Sequence, residues 1–76
     1  MSSIVSMDSV DAFAANLRAA RTRSLLSQEA LADAAHLHRT EISLLERGRR
    51  EPRLRTIVAL ARAMRIPPVD LFKGIE

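Results

Sequence analysis

The 76-residue sequence contains no cysteine, tryptophan or tyrosine, and Phe13 and Phe72 are its only aromatic residues. Without thiols there is no disulfide framework, no thiol nucleophile and none of the usual structural zinc sites. Glycine occurs only at Gly48 and Gly74, so no glycine-rich loop exists to cradle a nucleotide phosphate. His36 and His38 are the only histidines, and the acids near them complete neither a zinc site nor a nucleophilic constellation. No catalytic residue, metal or cofactor is therefore expected. No apolar run is long enough to cross a bilayer, and Met1 to Ser9 lacks both the basic start and the apolar stretch of a signal peptide. A cytoplasmic location with no membrane partner is the expectation.

What remains is 47% apolar, drawn mainly from Leu, Ala and Ile, which favours closely packed helices over a sheet of β-branched and aromatic residues. A chain of this length builds one hydrophobic core, and pairing with a second copy is a way of burying more surface. The sequence divides into an N-terminal arm over 1–9, without periodicity, and a single all-α domain over 10–76. Phe13, Ala14, Leu17 and Ala20 recur at helical spacing and predict a first helix from Asp11 to Arg23. Ser27 reads as an N-cap for a second helix running from Gln28 to about Ala34, with Glu29 in its first turn. A third covers Arg39 to Glu46, with His38 at its N-cap, Glu41 in the capping-box position and Gly48 just beyond its end. Leu54, Ile57, Val58, Leu60, Ala61 and Met64 form the clearest amphipathic stripe and predict a fourth helix ending near Arg65. Pro67 and Pro68 then open a short fifth helix with Val69, Leu71 and Phe72, closed by Gly74.

The formal net charge of +3 is modest, but its distribution is not even. Up to His38, the acids Asp8, Asp11, Glu29 and Asp33 slightly outnumber Arg18, Arg21 and Arg23. Beyond it, eight arginines and Lys73 face only Glu41, Glu46, Glu51, Asp70 and Glu76. Arginine carries a fixed charge on a planar fork suited to phosphates and guanine edges, so a polyanion is a natural partner. An ordinary solubilised helical surface explains the same composition equally well.

The stretch 28–47 separates these readings. Two short helices joined by a tight turn require a small residue at their crossing, which Ala32 supplies, and an apolar wedge, here Leu31, Leu37, Ile42 and Leu45. Around this core, Asn16-Leu17-Arg18 with Arg21, Leu26-Ser27-Gln28-Glu29-Ala30-Leu31-Ala32, Ile42-Ser43, Leu45-Glu46-Arg47-Gly48, Pro52, and Leu60-Ala61 leading to Ile66-Pro67 follow in order. The set resembles the phage repressor and Cro-like helix-turn-helix regulators, also called the xenobiotic-response-element family, and in its small size the controller proteins of restriction-modification systems. The resemblance covers about Phe13 to Phe72. It implies a compact five-helix, lambda-repressor-like domain in which the third helix enters the major groove of double-stranded DNA. The sequence departs from the family at His36, where glycine is usual, at Leu44, where a polar residue is common, and at Glu41, where tyrosine is frequent.

With Ile42 and Leu45 inward, Arg39, Thr40 and Ser43 fall on the open side of the third helix. Arg39 is the candidate for a bidentate guanine contact, and Thr40 or Leu44 for a thymine methyl; His38 can reach base or backbone. Ser27 and Gln28 at the start of the second helix, and Arg47, Arg49 and Arg50 around Gly48, are candidate phosphate contacts. The resemblance assigns Arg21 and Glu46 to a buried ion pair that orients the motif. The apolar segment after Pro67 is too short to bury all its side chains in one monomer. Ile66, Pro68, Val69 and Phe72 are therefore the expected homodimer contacts, although Leu71 and Phe72 can equally close the monomer core and leave Val69 as an isolated surface residue. The function implied is a transcriptional regulator, a repressor or a switch between repression and activation, on a palindromic operator. The alternatives are an antitoxin that also binds a toxin protein, and a structural helical interaction module.

Overall fold

A computed structural model describes residues 8–75. The chain forms four α-helices, α1 (Ser9–Arg23), α2 (Gln28–Ala35), α3 (Arg39–Glu46) and α4 (Leu54–Met64), followed by a 3-10 turn over Pro68–Phe72. The all-α expectation holds, but the fifth helix is a 3-10 turn. Two causes are visible. Asp70 N–H bonds the Pro67 carbonyl three residues back, and the Asn16 amide of α1 takes the carbonyls of Leu71 at 3.0 Å and Lys73 at 2.8 Å. Five residues with proline at the start cannot nucleate an α-helix alone, and Asn16 supplies a tertiary anchor instead.

Most of the arm assigned to 1–9 lies outside the described residues; of its last two positions, Asp8 caps α1 and Ser9 opens it. Asp8 is the N-cap, its side chain accepting from Val10 N–H, so the helix begins at Ser9 rather than at the expected Asp11. Aspartate is among the best N-cap residues, which explains the extra length. Ser27 caps α2 as expected, Oγ accepting from Ala30 N–H at 2.9 Å. His38 sits at the N-cap of α3 but makes no side-chain cap bond, and Glu41 lies in a shallow depression with Arg50, Glu51 and Arg53. The capping box expected there does not form.

All four helices end the same way. Leu25, His36, Gly48 and Arg65 each adopt a left-handed conformation, with φ of 61°, 61°, 68° and 58°. At each end the following residue's N–H reaches back five residues: Leu26 to Arg21, Leu37 to Ala32, Arg49 to Leu44 and Ile66 to Ala61. This Schellman arrangement satisfies carbonyls that the helix leaves free. Only one of the four uses glycine, so three ends carry the Cβ strain of the left-handed region.

The core is a single cluster. Leu17, Leu31, Ile42, Leu45, Leu60 and Leu71 are its largest fully buried members, one or more from every helix and one from the 3-10 turn. Each such side chain contributes roughly 1.5 to 3 kcal/mol relative to exposure. Ala32, at the α2–α3 crossing, and Ala61 on α4 are also buried, and their small size lets the helices approach. α3 packs on α2 and α1, whereas α4 packs on α2 and the carboxy-terminal turn. That division leaves one side of α3 open. No described helix is long and apolar enough to cross a membrane.

Candidate nucleic-acid interface

The open side of α3 is fixed by what its other side buries. Ile42 and Leu45 have no solvent exposure, and Glu46 is buried beside them. Arg39 and Thr40 are exposed, Ser43 and Leu44 half-buried, and Arg47 exposed at the C-cap. Thr40, Ser43 and Arg47 recur at three and four residues and so share one stripe, with Arg39 beside it. Arg47 Nε donates to the Ser43 carbonyl at 3.3 Å, which draws its side chain back along the helix. Leu44, half-buried, lies on the same side of the helix, four residues after Thr40. His38, exposed and immediately before α3, lies at its leading end.

Gly48 reverses the chain at once after Arg47. A Cβ at this position would meet Asp11 Oδ1 at 2.5 Å, and the φ of +68° favours glycine independently. Arg49 and Arg50 follow, both exposed. They are not equivalent: Arg50 shares its depression with Glu41 and Glu51, which reduces the positive field it offers.

At the other edge, Ser27 is exposed and Gln28 half-buried at the start of α2. The Gln28 amide donates to Glu46 Oε1 at 3.1 Å, a contact that the sequence reading missed. Arg21 closes the arrangement. Its Nε lies 2.5 Å from Glu46 Oε2, a second guanidinium nitrogen donates to Oε1 at 3.1 Å, and a third donates to the Leu26 carbonyl at 3.0 Å. The side chains are 17% and 3% exposed for Arg21 and Glu46, so the pair is shielded from solvent. Hydrogen bonding to Glu46 holds the Arg21 guanidinium above its ordinary pKa, opposed by burial and reinforced by the opposite charge. No buried side-chain polar atom among the described residues lacks a partner. The Arg21–Glu46–Gln28 bonds and the buried Leu31, Ile42 and Leu45 together fix how α2 and α3 cross.

The residues named for self-association lie at the far end from α3's open side in sequence and packing, on and before the 3-10 turn. Val69 is 67% and Phe72 39% exposed, Pro68 is exposed, and Ile66 is half-buried against the core. Leu71 is the only fully buried residue of the turn, and Ile66 and Ile75 on either side of it also pack against the monomer core. Asn16 was also missed as a structural residue, although its position on the apolar stripe between Phe13 and Ala20 marks a polar group facing inward. Among the described residues, no group of three or more His, Asp or Glu side chains gathers to hold a metal ion.

Known proteins share this arrangement. Residues 17–71 match the family model described as helix-turn-helix. The chain is 41% identical over 72 residues to Control protein C.SmaI of Serratia marcescens, covering 92% of this chain and 86% of that protein. It is similar in structure to the restriction-modification controller protein C.AhdI from Aeromonas hydrophila, with a TM-score of 0.81 and 41% identity over 83% of this chain and 96% of that one. The controller C.Esp1396I, seen as a tetramer with its natural 35 base-pair operator, shares the fold at a TM-score of 0.79 and 22% identity, over 88% of each chain. The geometry of α2 and α3 and the family match over 17–71 agree, and the chain belongs to the helix-turn-helix family, among relatives that are restriction-modification control proteins.

Proposed function

We propose that this protein is a sequence-specific regulator of transcription that binds a palindromic double-stranded DNA operator as a homodimer. The observation that carries the reading is the α3 stripe. Arg39, Thr40 and Ser43 face outward on a helix whose other side is fixed by fully buried Ile42 and Leu45 and by the Arg21–Glu46 pair. A helix held this way enters a major groove about 12 Å wide without yielding, and its exposed side chains reach base edges. In this reading Arg39 takes a guanine edge, Thr40, Ser43 and Leu44 line the neighbouring base pairs, and His38 reaches base or backbone. Ser27 and Gln28 approach phosphate at the start of α2, and Arg47, Arg49 and Arg50 approach it beyond α3.

The second copy attaches through Val69 and Phe72, supported by Pro68 and Ile66. Two exposed apolar side chains on one short turn are the surface that pairing would cover. A regulator of this kind works on the chromosome and so belongs in the cytoplasm. The controller C.Esp1396I assembles as a tetramer on its operator, and two dimers side by side on DNA are the corresponding arrangement here. The relatives are described as control proteins, which favours regulation over enzymatic action and over a purely structural module. No observation favours a toxin partner.

Retardation of a pool of random duplex DNA at low salt tests the reading. Wild-type protein retards the pool, and retention of a selected duplex over its scrambled counterpart falls in Arg39→Ala. Failure of the wild type to retard any duplex would sink the reading and favour the structural module.

A further inference from the structure

Resting on the DNA-binding reading above, we propose that the outer face of α1 is an additional site for the phosphodiester backbone of bound DNA, carried by Arg18 and Arg23 and continuous with Arg47. The core takes Phe13, Leu17 and Ala20 of α1. Asp11, Ala15, Arg18 and Thr22 recur at three and four residues on a different face, with Ala19 and Arg23 beside them. This face is not flat. Ala14, Ala15 and Ala19 form the floor of a shallow depression whose far wall is Glu46 and Arg47 at the end of α3.

Three observations direct DNA to it. The first is continuity: Arg47 belongs both to this depression and to the α3 stripe with Thr40 and Ser43, so a strand leaving the reading face past Arg47 meets α1 next. The second is charge. Arg18, Arg23 and Arg47 all line the depression, while of its acids Asp11 lies at the Gly48 end and Glu46 is buried and paired with Arg21. Among the described residues, neither the Arg18 nor the Arg23 guanidinium is held by a carboxylate or donates a hydrogen bond. The third is relief: exposed Ala15 and Ala19 leave no long side chain to keep a sugar-phosphate chain at a distance. The arginines of α4 differ on the first count, because α4 packs chiefly on α2 and the carboxy-terminal turn and the depression lined by Arg55 and Arg62 contains no residue of α3.

The test is a fluorescence-anisotropy titration of a selected operator duplex across a salt series, with Arg18→Ala/Arg23→Ala, the two single variants, Arg18→Lys/Arg23→Lys and Arg55→Ala. Each phosphate contact contributes about 0.9 to the slope of log affinity against log salt. The double alanine variant should therefore show a slope shallower by about 2. Raising salt from about 50 to about 200 mM then costs it about tenfold less affinity than it costs the wild type. The lysine variant should keep the wild-type slope, since it keeps both charges. Arg55→Ala, which removes one charge elsewhere, should also keep it. Thermal melts confirm folding, and the single variants stand in should the double one unfold. Alanine variants with the wild-type slope would overturn the proposal, and so would an equal loss in Arg55→Ala. A wild type that binds no duplex overturns instead the DNA-binding reading on which the proposal rests.

Discussion

Gln28 donates its side-chain amide to Glu46 at 3.1 Å, joining the first residue of α2 to the last residue of α3. Arg21 of α1 holds the same carboxylate, so one buried group fastens three helices. Two of them, α2 and α3, present the residues assigned to DNA, and the angle between them decides whether Gln28 and Arg39 can engage one groove together. This bond uses one of the two Gln28 amide hydrogens, and the other is the one that the proposed phosphate contact would use.

Removal of either partner should destabilise the fold by about 1 to 4 kcal/mol, because it strands a charge in a shielded site. Arg21→Ala should cost more than Glu46→Ala. It leaves the more deeply buried carboxylate with only Gln28, whereas Glu46→Ala leaves a guanidinium that is still bonded to Leu26 O and partly exposed. Denaturant melts check both the size and the order; losses below about 0.5 kcal/mol in both variants would show a solvent-screened pair. The Arg21 pKa is raised on folding, so its contribution is full below the ordinary arginine value and fades only as pH rises through the higher folded value. The arginine side of the pair should thus add no pH dependence to stability between about pH 5 and 9.

The left-handed helix ends make opposite predictions for two residues. His36→Gly removes Cβ strain at the end of α2 and should raise stability by up to about 1 kcal/mol, an amount limited by the extra freedom glycine gives the unfolded chain. Gly48→Ala should lower stability by about 1 to 3 kcal/mol, through its φ and the approach of Asp11. Thermal unfolding of the two variants settles the signs, and a destabilised His36→Gly would mean that the imidazole makes a compensating contact.

These ends also mark where sequence reasoning stops. The helix-turn-helix was legible because its signals are local: Ser27 as cap, Gly48 as stop, and Ile42 with Leu45 at core spacing. His36 was readable as a position where glycine is usual only through family resemblance, while Leu25 and Arg65 give no compositional sign of a left-handed conformation. The carboxy-terminal turn was misread as a helix because its decisive partner, Asn16, lies 55 residues from Leu71, and periodicity carries no information across that distance. Gln28–Glu46 was hidden for the same reason. The depression that sets Arg18 and Arg23 of α1 beside Arg47 of α3 was hidden likewise.

Base and backbone contacts should separate by their response to sequence. Arg49→Ala and Arg50→Ala should weaken binding to matched and scrambled duplexes alike, with the smaller loss at Arg50 because Glu41 and Glu51 surround it. Arg39→Ala should lose about 1 to 3 kcal/mol of discrimination at one base pair. Parallel titrations on both duplexes read the difference; a sequence-independent loss in Arg39→Ala would reassign it to phosphate.

Val69→Asp should give a folded monomer with reduced operator affinity. Its side chain is 67% exposed in the monomer, so the new charge meets water there and is buried only on pairing. Sedimentation at micromolar concentration checks the state, and a wild type that is monomeric both free and on DNA would defeat the dimer.

Selection of bound fragments from a random duplex pool examines groove reading and symmetry together. The account predicts enrichment of two inverted half-sites whose centres lie about one helical turn, roughly 34 Å, apart, with the base preference at one position in each half-site lost when Arg39→Ala is used for the selection. Enrichment of a single asymmetric site, or of no sequence at all, would contradict it.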